Sequence, residues 1–224
     1  MKQNLKVIIT GATGMVGEGV MLRCLDNSLI SEVLVINRKT CGVKHTKLKE
    51  IIHADFFNFI PISELLKGYD ACFFCMGISS LGISKDTYFK TTYNLTLHLA
   101  KILADLNPGM TFTYVSGMGT NSSEKGGSHW SRVKGKTEND LKKLPFKQVY
   151  AYRPGFIKPM PEQKNAHPYY RYINWLFPIG RALSVNTFIS QAEIGDSMIA
   201  VTAHGYPGFI LNGKEIAETA KLIN

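Results

Sequence analysis

A chain of 224 residues with 45% hydrophobic and 19% charged side chains is ordinary for a globular protein and long enough for one α/β domain with a full core. Its formal charge of +9 is spread from Lys2 to Lys221, and the densest stretches, Arg38 to Lys49 and Lys134 to Lys147, lack the aromatic interleaving of a nucleic-acid groove. No leader pattern and no apolar run near the roughly 20 residues of a membrane span is read. The six histidines show no metal-ligand spacing. The expectation is a cytoplasmic protein with a small-molecule substrate or acceptor, without nucleic-acid, membrane or metal partners; the oligomeric state stays open.

Strand and helix patterns alternate from the first residues onward. Leu5–Thr10 reads as a strand, and Gly11-Ala12-Thr13-Gly14-Met15-Val16-Gly17 follows it directly. A helix is predicted over Met15–Asn27, with Val20, Met21, Leu22 and Leu25 on its packed side. Each glycine of the loop has a mechanical reason. Gly11 turns the chain off the strand, Gly14 leaves bare backbone for a pyrophosphate, and Gly17 lets the helix pack closely. The free N–H groups of the first helical turn, at Thr13, Met15 and Val16, then face the phosphates. Strand before and helix after are the context that makes this a dinucleotide-binding motif and not a plain turn.

The second strand is predicted at Glu32–Asn37, a third at Ile51–Asp55, and a short helix at Pro61–Lys67. Ala71–Met76 is a continuous apolar run, as suits a central parallel strand. Its Cys72 and Cys75, three residues apart, point to opposite faces, which argues against a redox pair and for core thiols in a reducing compartment. A loop, Gly77–Lys85, leads to a long helix over Asp86–Leu106. Thr111–Ser116 is the fifth strand, Gly117–His129 a polar loop read as mobile without ligand, Trp130–Lys143 a helix and Lys147–Arg153 the sixth strand.

Regularity fades after Pro154. Helices are predicted near Tyr169–Leu183 and Gln191–His204, a last strand at Phe209–Leu211, and a capping box at Asn212…Glu215 opens a terminal helix. The order gives one α/β domain over residues 1–224: a doubly wound parallel sheet of Rossmann type, with residues 156–207 forming most of a small irregular C-terminal lobe on the substrate side. The aromatic side chains Tyr169, Tyr170, Tyr172, Trp175 and Phe177 either line a pocket there or cover the sheet.

The choice of dinucleotide follows from the end of the second strand. A protein that selects NAD places a carboxylate there for the ribose hydroxyls. This chain reads Asn37-Arg38-Lys39 instead, and a guanidinium can meet the 2′-phosphate of NADP in bidentate fashion. NADP is therefore preferred over NAD.

With these residues in view, the chain resembles the short-chain dehydrogenase/reductase superfamily, in its atypical or extended branch, from Leu5 to about Pro159. The resemblance implies an adenine contact at Asp55 and a fourth strand whose Cys75-Met76-Gly77 runs under the cofactor. It implies a helix asparagine at Asn94, the catalytic serine at Ser116, the lysine of the Tyr-x-x-x-Lys pair at Lys134, and a nicotinamide-side segment at Arg153-Pro154-Gly155. The departure is Trp130, which stands where the family's catalytic tyrosine belongs. A phenol can be tuned to pass a proton, whereas an indole N–H donates a hydrogen bond and does not ionise.

Three functions stay open on this reading. One is NADPH-dependent reduction of a carbonyl or sugar nucleotide, with His129, Tyr88 or Tyr93 as substitute acid. Another resembles the flavin and biliverdin reductases of the same branch, where the protein need not hold the proton donor. The third is a non-catalytic NADPH-sensing or regulatory protein like the Tat-interacting and NmrA-like members.

Overall fold

The computed structural model describes residues 3–166, 175 and 177–223. In chain order its strands are β1 (Leu5–Thr10), β2 (Ile30–Asn37), β3 (Leu48–Ile52), β4 (Ala71–Phe74), β5 (Thr111–Val115), β6 (Gln148–Arg153), β7 (Phe156–Lys158), β8 (Phe188–Ser190) and β9 (Ile210–Asn212). Seven of them form one sheet in the order β3-β2-β1-β4-β5-β6-β9, and every pairing is parallel. The doubly wound architecture read from the sequence is the observed one. A second, two-stranded parallel sheet, β7-β8, was not foreseen from the sequence.

Period-two alternation divides the apolar strand residues between two cores. Val7, Ile9, Val35 and Phe73 face α1 (Met15–Asp26). Ile8, Leu34, Phe74 and Phe112 face the opposite layer, which includes Leu99 and Leu103. Cys72 belongs to that second core while Cys75 packs against the first, so the two thiols do lie on opposite sides. All four cysteines are free.

Several boundaries shift. β3 ends at Ile52 rather than Asp55, and β4 at Phe74, so Asp55, Cys75 and Met76 stand in the loops at the carboxyl ends. The expected short helix is a 3-10 helix over Ile60–Leu66. The long helix divides into α2 (Lys85–Phe89), a π turn (Lys90–Asn94) and α3 (Leu95–Leu106). At this break the Thr91 hydroxyl donates to the Thr87 carbonyl (2.7 Å), a side-chain bond that competes with the helical ladder. Helix α4 spans His129–Leu141, capped by the Ser128 hydroxyl.

Helices α5 (Phe177–Leu183), α6 (Gln191–His204) and α7 (Gly213–Ala220) complete the chain. The capping box at Asn212 and Glu215 forms as read, and a second one joins Ser190 and Glu193. Of the aromatic cluster, Tyr169, Tyr170 and Tyr172 lie outside the described residues, as do positions 169–174 and 176 of the helix expected near Tyr169–Leu183. Trp175 is exposed, and Phe177 packs against Phe156 and Phe188.

Order reverses between β1 and β4, which are neighbours in the sheet but far apart in sequence. A crevice at the carboxyl ends of strands on either side of such a reversal is the ligand position in this architecture.

Candidate functional site

The turn after β1 is shaped by three glycines with different duties. Gly11 has φ +76°, and a Cβ there would lie 2.9 Å from Met76 Cα, so β4's loop passes directly against it. A Cβ on Gly17 would fall 2.2 Å from the Gly11 carbonyl oxygen, so the first turn of α1 sits on the loop that precedes it. Gly14 differs. It is exposed, its φ is ordinary, and its absent side chain would meet only the Gly11 carbonyl, at 3.4 Å. The space it leaves opens into a cavity of about 160 Å³ lined by Gly11, Thr13, Asn37, Arg38, Cys75 and Met76. This is bare backbone at a helix N-terminus, which fits a diphosphate.

A second, more apolar cavity of about 210 Å³ shares Arg38, Phe56, Met76 and Gly77 with the first. Asp55, Thr91 and Leu95 line the second cavity alone. The loop residues drawn from the carboxyl ends of β1, β2, β3 and β4 are thus brought together around Arg38, which is exposed. The backbone beside Arg38 is held from below by Glu50: Asn37 Nδ2, the Thr40 hydroxyl and the Cys41 N–H all donate to its carboxylate, at 2.7 to 2.9 Å. Glu50, Phe56 and Thr91 were not singled out in the sequence, because an isolated carboxylate on a strand or threonine on a helix carries no local signal. Burial pushes the Cys75 thiol up to about 12, so it remains a protonated lining group and not a nucleophile.

The other side of the crevice holds the residues that the resemblance assigns to proton transfer. Lys134 and Trp130 are one turn apart on α4 and share a face. Lys134 Nζ donates to the carbonyl of Ser116, and burial lowers its ammonium to about 8. The Trp130 ring lies over Gly119, whose Cβ would stand 3.1 Å from the indole edge. The Ser116 side chain is buried at 1% exposure and donates to Glu138 Oε1 at 2.5 Å. Glu138, fully buried, is paired with Arg153 and was missed in the sequence. Its signal was present in outline, since it lies one turn beyond Lys134 on the same helix.

Asn94 closes the π turn and is exposed, and from this helical run Thr91 and Leu95 line the cavity. Among the substitute acids, the His129 and Tyr88 rings meet edge-on at 6.1 Å beside Trp130, whereas the Tyr93 hydroxyl donates to Asp140. Pro154 accepts from the Met118 N–H (2.9 Å), and Gly155 makes room for the Thr187 carbonyl, which a Cβ would approach to 2.4 Å.

The polar loop Gly117–His129 is hydrogen-bonded to α4 at several points. Asn121 N–H donates to Ser131, Arg132 to the carbonyls of Gly126 and Gly127, and Asn139 to Ser122. Gly135 allows this: a Cβ there would collide with the Asn121 carbonyl at 1.8 Å.

The fold and this crevice define a nucleotide-binding protein of the short-chain dehydrogenase type. The chain belongs to the NAD dependent epimerase/dehydratase family, which matches residues 7–152. It is similar to protein fmp52, mitochondrial, of Aspergillus fumigatus, 27% identical over an alignment of 161 positions, with 67% of this chain and 66% of that protein covered. It is also similar to protein HTATIP2 of Rattus norvegicus, 25% identical over 69% of this chain and 64% of the relative. These matches span slightly less than two thirds of the relatives' own length. Among solved structures, the Bordetella bronchiseptica enzyme WbmF in complex with NAD+ shares the fold with a TM-score of 0.65, at 18% identity, covering all of this chain and 78% of that one. Among the described residues, no helix is long and apolar enough to cross a membrane.

Proposed function

We propose that this protein binds NADP(H) across the crevice and reduces an acceptor that does not draw its proton from a tyrosine. The observation that carries this reading is Arg38, which lines both cavities directly after β2, with the neutral Asn37 in place of a carboxylate. A guanidinium there suits a 2′-phosphate. Gly11, Thr13, Gly14, Met15 and Val16 would hold the diphosphate, Asp55 and Phe56 the adenine end, and Lys134 with Pro154 and Gly155 the nicotinamide end. Bound there, the cofactor supplies a hydride.

The chain's own contribution at the reacting end is binding and orientation. Lys134 presents an ammonium to ribose hydroxyls, and Trp130 offers a ring face and one donor. Neither supplies what a tuned phenol supplies, which favours acceptors with an extended ring system, such as flavins or quinones, over simple carbonyls. A non-catalytic NADP(H)-sensing protein is the second reading, favoured by Ser116, whose hydroxyl is already engaged by Glu138. Oxidation of NADPH with a panel of flavin, quinone and carbonyl acceptors separates the two readings, since binding without any turnover supports the sensor.

The cofactor assignment has its own test. Calorimetry on the natural protein is expected to show NADPH bound more tightly than NADH, and Arg38→Ala to weaken NADPH far more than NADH. Equal affinities in the natural protein remove Arg38 from that role. The proposed partner is a small molecule, with no nucleic acid or membrane involved. A cytoplasmic setting is part of the proposal and rests on the free thiols. The fungal relatives are named mitochondrial, so localisation of a tagged chain decides it.

A further inference from the structure

Two glutamines and a buried carboxylate join the C-terminal part of the chain to the turn at the start of α1. Gln163 Nε2 donates to the Met15 carbonyl (2.6 Å), and Gln191 Nε2 to the Val16 carbonyl (2.9 Å). Those carbonyls belong to the peptide groups that carry the N–H of Val16 and of Gly17. Glu18, 4% exposed in the same turn, receives the backbone N–H of Lys164 on one oxygen and of Asn165 on the other, both at 2.8 Å. Gln163 is itself oriented, because its Oε1 accepts from the Met160 N–H (2.8 Å), which fixes the amide with its donor toward Met15. Gln191 is fully buried and lies against Gly19, where a Cβ would come within 2.0 Å of its Cγ.

We propose that Gln163 and Gln191 are positioning residues for the phosphate turn, and that Glu18 docks the segment Met160–Asn165 onto it so that cofactor affinity and docking of this segment rise and fall together. The proposal rests on the dinucleotide reading above. A hydrogen bond received by a peptide carbonyl polarises the N–H of the same peptide and makes it a stronger donor. Gln163 acts on the peptide group that carries the Val16 N–H, in the turn proposed to hold the diphosphate, and Gln191 braces the next peptide of the same turn. Glu18 adds a second term. Its two oxygens accept the N–H groups of Lys164 and Asn165, one each, which anchors the segment that carries Gln163 against the turn. Coupling of this kind is reciprocal: if the docked segment strengthens phosphate binding, a bound phosphate holds the segment down.

Calorimetry with NADPH and amide hydrogen exchange over Met160–Asn165 test this on the full chain, with Gln163→Leu as the main variant and Glu18→Gln as the second. Gln163 is half-buried, and its replacement leaves the core untouched. In the natural protein, NADPH is expected to slow exchange of the Lys164 and Asn165 amides. Gln163→Leu should weaken NADPH by about fivefold or more and abolish that slowing, and Glu18→Gln should act in the same direction. Binding of NADPH with no change in exchange at these amides, or unchanged affinity in Gln163→Leu, overturns the coupling and leaves the cofactor reading standing. A natural protein that binds neither NADPH nor NADH overturns both.

Discussion

The hydroxyl of Ser116 donates to the fully buried Glu138 at 2.5 Å, and Arg153 holds the same carboxylate from the other side. A serine at the end of β5 is the position the family uses to touch substrate, but this one is turned inward and also reaches the Tyr152 carbonyl (3.1 Å). Ser116→Ala is expected to lower unfolding free energy by about 2 kcal/mol, the range for a bond to a charged group. NADPH affinity should stay within about twofold, well under a factor of ten or 1.4 kcal/mol. A thermal melt and a binding isotherm check this, and intact stability with lost cofactor binding would return Ser116 to the site.

Lys134 gives the protein a pH signature. Its ammonium is lowered to about 8 by burial, and the charged form is the one that suits ribose hydroxyls. NADPH affinity should be level below about pH 7 and fall, by at most about tenfold per unit, as pH rises past 8. Lys134→Arg should flatten that fall, because a guanidinium stays charged. Stability moves the opposite way. Between about pH 8 and the unfolded lysine value near 10.4, the unfolded chain holds more protons than the folded one, so stability contributed by this group rises with pH across that window. A binding titration from pH 6 to 10 that is flat in the natural protein would deny Lys134 its role.

The glycines of the first turn should separate binding from folding. Gly14→Val fills the space where only the Gly11 carbonyl comes within 4 Å, so cofactor binding should be lost while the melting temperature holds. Gly17→Ala is expected to damage both, since its Cβ would lie 2.2 Å from that same carbonyl. Near-normal affinity in Gly14→Val would place the phosphates elsewhere.

Trp130 marks the limit of the chemistry. The natural protein should reduce small aldehydes and ketones poorly, and Trp130→Tyr, with Lys134 one turn away, should raise that rate within the ceiling of about 10²–10⁴-fold that proton transfer supplies. Brisk aldehyde turnover by the natural protein would mean that another group gives the proton. His129, with its ring 6.1 Å from that of Tyr88, is then the first to replace.

The sequence by itself determined the doubly wound parallel architecture and the glycine turn after β1, and it set Arg38, on which the proposed cofactor preference rests, at the end of β2. These depend on interactions within a few residues: a glycine at positive φ after β1, near-continuous apolar runs along β1 and β2, a guanidinium at the end of a strand. It also placed Trp130 and Lys134 on one face, because helical spacing is local. Only the tertiary structure decided where Ser116 and Asn94 point. The partner that turns Ser116 inward, Glu138, is 22 residues away on another element, and the π turn that leaves Asn94 exposed replaces a helix the pattern reads as continuous. The docking of Lys164 and Asn165 on Glu18 spans 146 and 147 residues, and no local pattern marks it. Propensities and caps act through neighbouring backbone, whereas a buried carboxylate takes its partners from whatever packing brings to it, and that is settled when the sheet and its helices close around it.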